Sequence, residues 1–463
     1  MILFYLGATV LLVTGAFFAG QRRAVTVSSG RFVELHSLPV YHGAYVAIAV
    51  LVPMALVFVI GMPVVNHLAQ SSALANFPDA VKVDALQSSV ILRDAARIAA
   101  GQFPGDPGPQ LQQAAEAMSR VRSFGASVIF FGGVAIGLAA LIASFWKISV
   151  PFRARHYVER FVKVVLGVCA VVAILTTIGI VFSLVFETYR FFFDPSLKGK
   201  PSVLGFLFGL DWNPQAAMRA DQGEISTAYG FVPLLVGSLL ITFIAILVAG
   251  PLGLFSAIYL AEYAGPRLRA WAKPVLEILA GIPTVVLGFF AALTVAPLIR
   301  AVGTHYGLDV ASESALAAGL VMGMMIIPFI SSLSDDVINA VPQTLRDGAY
   351  ALGATKSETI KQVILPAALP GIVSAFMLAI SRAIGETMIV VMAAGLAANL
   401  TFNPLDAVTT ITVQIKTILV GDQEFDSAKT LSAFALGFVL FFVTLMLNFI
   451  ALRISQRYRE QYD

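Results

Sequence analysis

The sequence predicts an all-α polytopic membrane protein. Three observations carry this: apolar residues fill 58% of 463 positions, charged residues only 12%, and mean hydropathy reaches +0.86. A typical soluble domain holds about 45–50% apolar and about 25% charged residues. A chain this long with half the usual charge keeps most of itself in lipid. The net charge of +3 is small and points to no nucleic-acid partner. Cys169 is the single cysteine, which excludes an internal disulfide and a multi-cysteine metal site. His36, His42, His67, His156 and His305 are scattered without ligand spacing, so neither a metal nor another cofactor is expected.

A spanning helix needs roughly 20 mostly apolar residues. Nine stretches qualify, near 1–20, 40–62, 125–148, 163–186, 230–257, 274–299, 313–333, 367–395 and 431–453. The first lacks a basic region ahead of its apolar run, and Arg22 and Arg23 follow it, which suits a retained helix rather than a cleaved leader. Orientation follows from basic residues in the connections. One set is dense in them: Arg22, Arg23, Arg31; Arg153, Arg155, Arg160, Lys163; Arg267, Arg269, Lys273; Arg346, Lys356, Lys361; Arg453, Arg457, Arg459. That set is expected in the cytoplasm, with the N-terminus outside and the C-terminus inside.

Two outer connections are long. Residues 63–124 hold helix-like polar stretches around PGDPGP (104–109), a loop signal. Residues 187–229 lead into the fifth span. The basic linker PFRARHYVERFVK (151–163) separates three early spans from six later ones. The expected division is therefore 1–150, a membrane extension, and 151–463, the remainder.

The connection at about 334–366 is the most informative soluble piece. Leu345, Ala349 and Leu352 are spaced i, i+4, i+7 and give one helix an apolar stripe. Gly353 suits a left-handed cap. Thr355 with Glu358 makes a capping box for a second short helix, and Pro366 and Pro370 mark its end and the next start. From pattern alone, a hairpin lying on lipid and a docking element are equally good readings.

This loop resembles the coupling motif of ABC-importer permeases: Glu-Ala-Ala, three residues, Gly, nine residues, Ile, any residue, Leu-Pro. Asp347, Gly348 and Ala349 fill the triplet, Gly353 the glycine, Val363 the isoleucine, and Leu365 with Pro366 the end. Asp347 and Gly348 depart from the triplet; Gly weakens a helix by up to about 1 kcal/mol relative to Ala. YLAEYAG (259–265), LAGIPTVVLGFF (279–290), residues 345–372 and RAIGETMIVVMAAG (382–395) also resemble the phosphate-importer permease family. Met after Glu-Thr makes the last stretch more similar to the PstC type than to its PstA paralogue. The resemblance covers about 160–455. It implies a six-helix type I ABC-importer permease core in a bacterial inner membrane; it says little about the first 150 residues, which read as three extra N-terminal helices ahead of that core. It also implies a second homologous permease chain, two copies of an ATPase subunit, and a periplasmic phosphate-binding protein docking on segments such as 187–229 and 396–430. Inorganic phosphate is the implied substrate. The chain has no G-x-x-x-x-G-K-[ST] loop, so it is not expected to be an enzyme; a separate subunit is expected to hydrolyse ATP.

Arg382 and Glu386 stand inside the eighth apolar stretch. Each charge costs roughly 2.5–3.5 kcal/mol at a helix centre. Four residues apart on one helix, they share a face and can pair. A structural ion pair and a pathway role both fit this spacing; with phosphate as the implied cargo, Arg382 becomes the residue that meets the anion and Glu386 its neutraliser between cycles. Lys273 and Glu277 are spaced alike at a cytoplasmic end and read as a solvated structural pair. Pro283 falls inside the sixth span and is expected to kink it. Gly281 and Gly288 allow close approach, and Gly133/Gly137 and Gly319/Gly323 have helix-packing spacing. The phenylalanine-rich runs read as lipid-facing bulk. Rival readings are a permease for molybdate or sulfate, an ion-coupled secondary transporter working alone, and a sensor subunit that moves nothing.

Overall fold

The computed structural model describes residues 2–28, 35–78, 84–103, 105, 107–197, 200–214, 229–420 and 427–457. Arg31, Arg459, and Pro104 and Asp106 of the loop signal lie outside these, as do 215–228 and 421–426 of the two expected docking segments. Among the described residues, 9 helices are long and apolar enough to cross a membrane, matching the sequence reading. The chain divides into two compact units, Met1–Leu175 and Thr176–Asp463. The division falls inside the helix Ala154–Phe193.

The first unit contains α1 (Ile2–Val27), α2 (Pro39–Leu74), α3 (Ala85–Ala99), α4 (Pro109–Trp146) and the start of α5 (Ala154–Phe193). Proline opens α2 and α4, where a missing N–H leaves no bond unmade. The described residues of 63–124 are mostly helix: α2 and α4 run beyond their apolar stretches, and Ala95 of α3 packs on Ala69, Ala73, Ala114 and Ala115. Asp84 starts α3 by accepting from the N–H groups of Leu86 and Gln87 at 2.9 and 3.3 Å. Tyr5 lies directly on Gly133, and Met54 on Gly137, so this glycine pair serves helix packing.

The second unit adds α6 (Val203–Phe208), α7 (Val232–Ile258), α8 (Pro266–Ala280), α9 (Thr284–Phe290), α10 (Ala296–His305) and α11 (Ala315–Ala340). After these come α12 (Gln343–Ala351), α13 (Lys356–Thr359), α14 (Leu365–Ile384), α15 (Met388–Ala393), α16 (Ile411–Leu419) and α17 (Ala428–Arg457). Three π turns join neighbours: Tyr259–Tyr263 extends α7, Ala291–Val295 links α9 to α10, and Ile360–Ile364 links α13 to α14. The core centres on α7 and α11, where Gly319 and Gly323 let Ile244, Ala245 and Val248 approach. Phe191, Phe206 and Phe231 are buried with Trp212 and Tyr229 in an aromatic cluster, so these phenylalanines are core rather than lipid-facing bulk. Burial pushes the Tyr229 phenol up to about 12.

Three expectations change. Pro283 does not kink a continuous sixth span. It ends one helix and begins another: α8 stops at Ala280, and Pro283 caps α9 in an extended conformation, φ −56° and ψ 133°. The ring disfavours helical backbone at the residue before it, so the chain must leave the helix there. The eighth span does not run to 395. It covers Lys356–Ile384 and ends at Gly385. Pro366 does not separate two helices either. The π turn just before it widens the coil around a proline that has no N–H to give and whose ring would crowd the preceding turn.

Candidate functional site

Two neighbourhoods of the second unit hold the predicted residues. The first is the elbow around α12 and α13. Gly353 has φ +86°. Its N–H bonds to Tyr350 O at 2.9 Å, and the Ala354 N–H to Ala349 O at 3.1 Å, which completes a Schellman cap. Only glycine takes this φ without strain. The capping box follows: the Thr355 N–H donates to Glu358 Oε2 at 2.8 Å, and the Glu358 N–H to Thr355 Oγ1 at 3.4 Å.

The elbow has two faces. Leu345 and Leu365 turn inward onto the apolar cluster of Ile338, Val341, Ile360 and Ile364; Ala349 is buried and Val363 half-buried. Asp347, Gly348 and Gly353 face outward, and a side chain added at Gly348 would meet nothing. Leu352 leaves the predicted stripe. As the C-cap of α12 it is no longer on the helix face, and it is 91% exposed. Pro366 is exposed.

Sequence reasoning missed what fixes the elbow. Arg346 donates to Glu262 Oε1 from Nη2 at 3.1 Å, and to the carbonyls of Ile338 and Val341 at 2.8 and 2.6 Å. The Lys356 ammonium lies 4.9 Å from the ring centre of Tyr263. Both tethers end in the π turn Tyr259–Tyr263. The only advance signal was that YLAEYAG carries a glutamate at the edge of a span.

Nearby, Lys273 does not pair with Glu277. It donates to Asp335 and Asp336 at 3.0 and 2.9 Å, while Arg269 donates to both Asp335 oxygens. The Asp335 side chain is only 2% exposed, and a buried carboxylate needs cations more than an exposed Glu277 does. Hydrogen bonds to Asp336 and Asp335 push the Lys273 ammonium above the usual lysine value.

The second neighbourhood is the end of α14. The expected Arg382–Glu386 pair is not formed. Gly385 ends the helix, so the two residues no longer sit four apart on one coil. Glu386 instead accepts from the N–H groups of Met388 and Ile389 at 2.9 and 3.3 Å, capping α15. Its carbonyl accepts from Thr412 Oγ1 at 2.9 Å, which ties the break to α16. Thr412 and Lys416 stand i, i+4 on that helix. Arg382 is exposed in the last turn of α14, its guanidinium carbon 5.9 Å from the ring centre of Phe329. Among the described residues it has no ion pair. Gly288 packs its backbone on Met388 and Ile389, and Gly281 caps α8.

Residues 249–460 match the family described as "Binding-protein-dependent transport system inner membrane component". Residues 7–176, most of which lie ahead of the resemblance read from the sequence, match "Phosphate ATP-binding cassette transporter". The chain is 32% identical over 295 residues to a probable ABC transporter permease protein, YqgH, of Bacillus subtilis, covering 64% of this chain and 90% of that one. It is 33% identical over 271 residues to the phosphate transport system permease protein PstC 1 of Mycobacterium tuberculosis, covering 53% and 79%. It is 30% identical over 314 residues to PstC of Pasteurella multocida, covering 62% and 89%. An all-helical, multi-pass chain with this elbow and these relatives belongs to the phosphate-type permease family of ABC importers.

Proposed function

We propose that this chain is one of two transmembrane permease subunits that together import inorganic phosphate, with ATP hydrolysed on two separate subunits. The observation that carries the substrate is Arg382. A guanidinium in the last turn of a membrane-spanning helix, without a carboxylate partner, is costly in lipid and suited to a passing oxyanion. Its fork offers two donors to phosphate oxygens. Because Glu386 is committed to capping α15, it holds the break open rather than competing for Arg382. Phe329 rests the guanidinium on a ring face, a contact that leaves every N–H donor free.

The drive enters at the elbow. Leu352 offers an apolar tip, Gly348 a narrow backbone face and Asp347 a carboxylate, a surface that fits a groove on an ATPase. Closure of the ATPases would displace α12. Arg346–Glu262 and Lys356–Tyr263 pass that displacement to α7, and Ile360–Ile364 passes it up α14 to Arg382. In this reading the basic connections face the cytoplasm. Outer segments, including parts of 187–229 and 396–430, receive a phosphate-binding protein, and residues 1–150 are an added membrane module.

The test is ATP-dependent phosphate uptake into vesicles containing the co-purified complex. Arg382→Gln is expected to lower uptake at least about 100-fold, from the loss of two charge-assisted hydrogen bonds, with assembly unchanged. Wild-type uptake by an assembled Arg382→Gln complex overturns the pathway assignment. Uptake by the chain alone, driven by an ion gradient, overturns the ATP-driven reading.

A further inference from the structure

The membrane helices of the first unit enclose a groove to which the proposed transport path assigns no role. Its volume is about 590 Å³, within the roughly 300–1,000 Å³ of small-molecule sites. The walls are Leu3 and Tyr5 of α1, Phe58 and Met62 of α2, and Ala126 and Ile129 of α4. Tyr5 turns its hydroxyl to the Met54 carbonyl at 2.8 Å and stacks its ring on Phe58, so it too presents an apolar surface.

Two polar side chains stand in the lining, Asn66 and Arg122. Both mark the same level in their helices. The apolar run of α2 stops at Val65, and that of α4 starts just after Ser123. That level is where a bilayer passes from hydrocarbon to headgroup. No carboxylate lines the groove. Among the described residues Arg122 has no ion pair, and both Asn66 and Arg122 are exposed.

We propose that this groove is a binding site for an anionic phospholipid. One acyl chain lies along the apolar walls, and the phosphodiester meets Arg122 and Asn66. Charge complementarity selects the occupant. The only formal charge in the lining is a guanidinium, whose fork fits phosphate oxygens, and the Asn66 amide adds a neutral donor. A lipid is the ligand that satisfies both halves, because the apolar walls open below headgroup depth, where a free anion does not go.

The test is native mass spectrometry of the full chain in mild detergent, after incubation with equal amounts of phosphatidylglycerol and phosphatidylcholine carrying the same acyl chains. The wild type is expected to retain phosphatidylglycerol preferentially. Arg122→Gln should cut that preference about five-fold, the equivalent of about 1 kcal/mol for one cation at an anionic surface. Ala126→Phe, which fills the groove, should lower retention of both lipids. Equal retention of the two lipids by the wild type overturns the proposal, even if either variant fails to fold. So does an Arg122→Gln protein, melting like wild type, that keeps the full preference.

Discussion

Arg346 and Glu262, 84 positions apart, meet at 3.1 Å with their side chains only 11% and 8% exposed. Arg346 also donates to the Ile338 carbonyl from Nη2 and to the Val341 carbonyl from Nη1. The first turn of α12 therefore cannot move without pulling on the end of α7. Removing one partner of a buried pair costs about 3–5 kcal/mol, because the other charge stays behind unpaired. Glu262→Ala is expected to lower the melting temperature clearly. The double variant Glu262→Leu/Arg346→Met should recover much of that loss yet transport poorly per ATP hydrolysed. Thermal melting in detergent and the ratio of uptake to hydrolysis check this; tight coupling in the double variant would count against the tether.

Leu352 makes the opposite prediction. It is 91% exposed and touches little of its own chain, so Leu352→Ala should alter stability by no more than about 0.5 kcal/mol. Retention of the ATPase subunits on co-purification should nevertheless fall sharply. Equal retention by variant and wild type would remove Leu352 from the docking surface.

Phe329 supports Arg382 without charge. An exposed cation–π contact contributes about 0.5–1 kcal/mol. Phe329→Leu is therefore expected to change half-saturation for phosphate by up to about five-fold, with maximal uptake kept. Arg382→Lys keeps the charge but loses the fork and should fall between wild type and Arg382→Gln. Uptake kinetics on the three variants decide the order.

Asp335 gathers Arg269 and Lys273 and so fastens α8 to α11. Asp335→Asn should release α8, raising the labelling of a cysteine placed at Trp271, which is already 77% exposed, and lowering melting temperature. Lys273 has a raised folded value, so its share of stability is complete below the ordinary lysine value of 10.5 and is lost as pH climbs through the raised one. Neutral and mildly acidic buffers should leave this tie intact; a melting transition that weakened there in wild type but not in Lys273→Met would contradict it.

Much of this was legible in the sequence. Apolar length gave the spans, and Gly353 and Thr355/Glu358 gave both halves of the elbow, because caps are local signals written within four residues. The break at Gly385 was not legible. Apolar residues continue on both sides of it, and the short Gly385-Glu386-Thr387 interruption is also tolerated inside a continuous helix. For the same reason Arg382 and Glu386 looked like a helical pair. The Arg346–Glu262 and Lys273–Asp335 contacts join residues 84 and 62 positions apart, a distance that no periodicity encodes. In the first unit, the small-residue spacing of Gly133 and Gly137 foretold close packing but not its partners, Tyr5 and Met54.

The coil at Ile360–Ile364 carries one more residue than a regular turn holds. Such a surplus is a point of length tolerance. Deleting Gln362 together with Pro366→Ala should let the wide turn relax to an ordinary one while everything beyond it keeps its facing. The same excision in the middle of α14 would swing each later side chain by about a quarter of a circle and point Arg382 somewhere else.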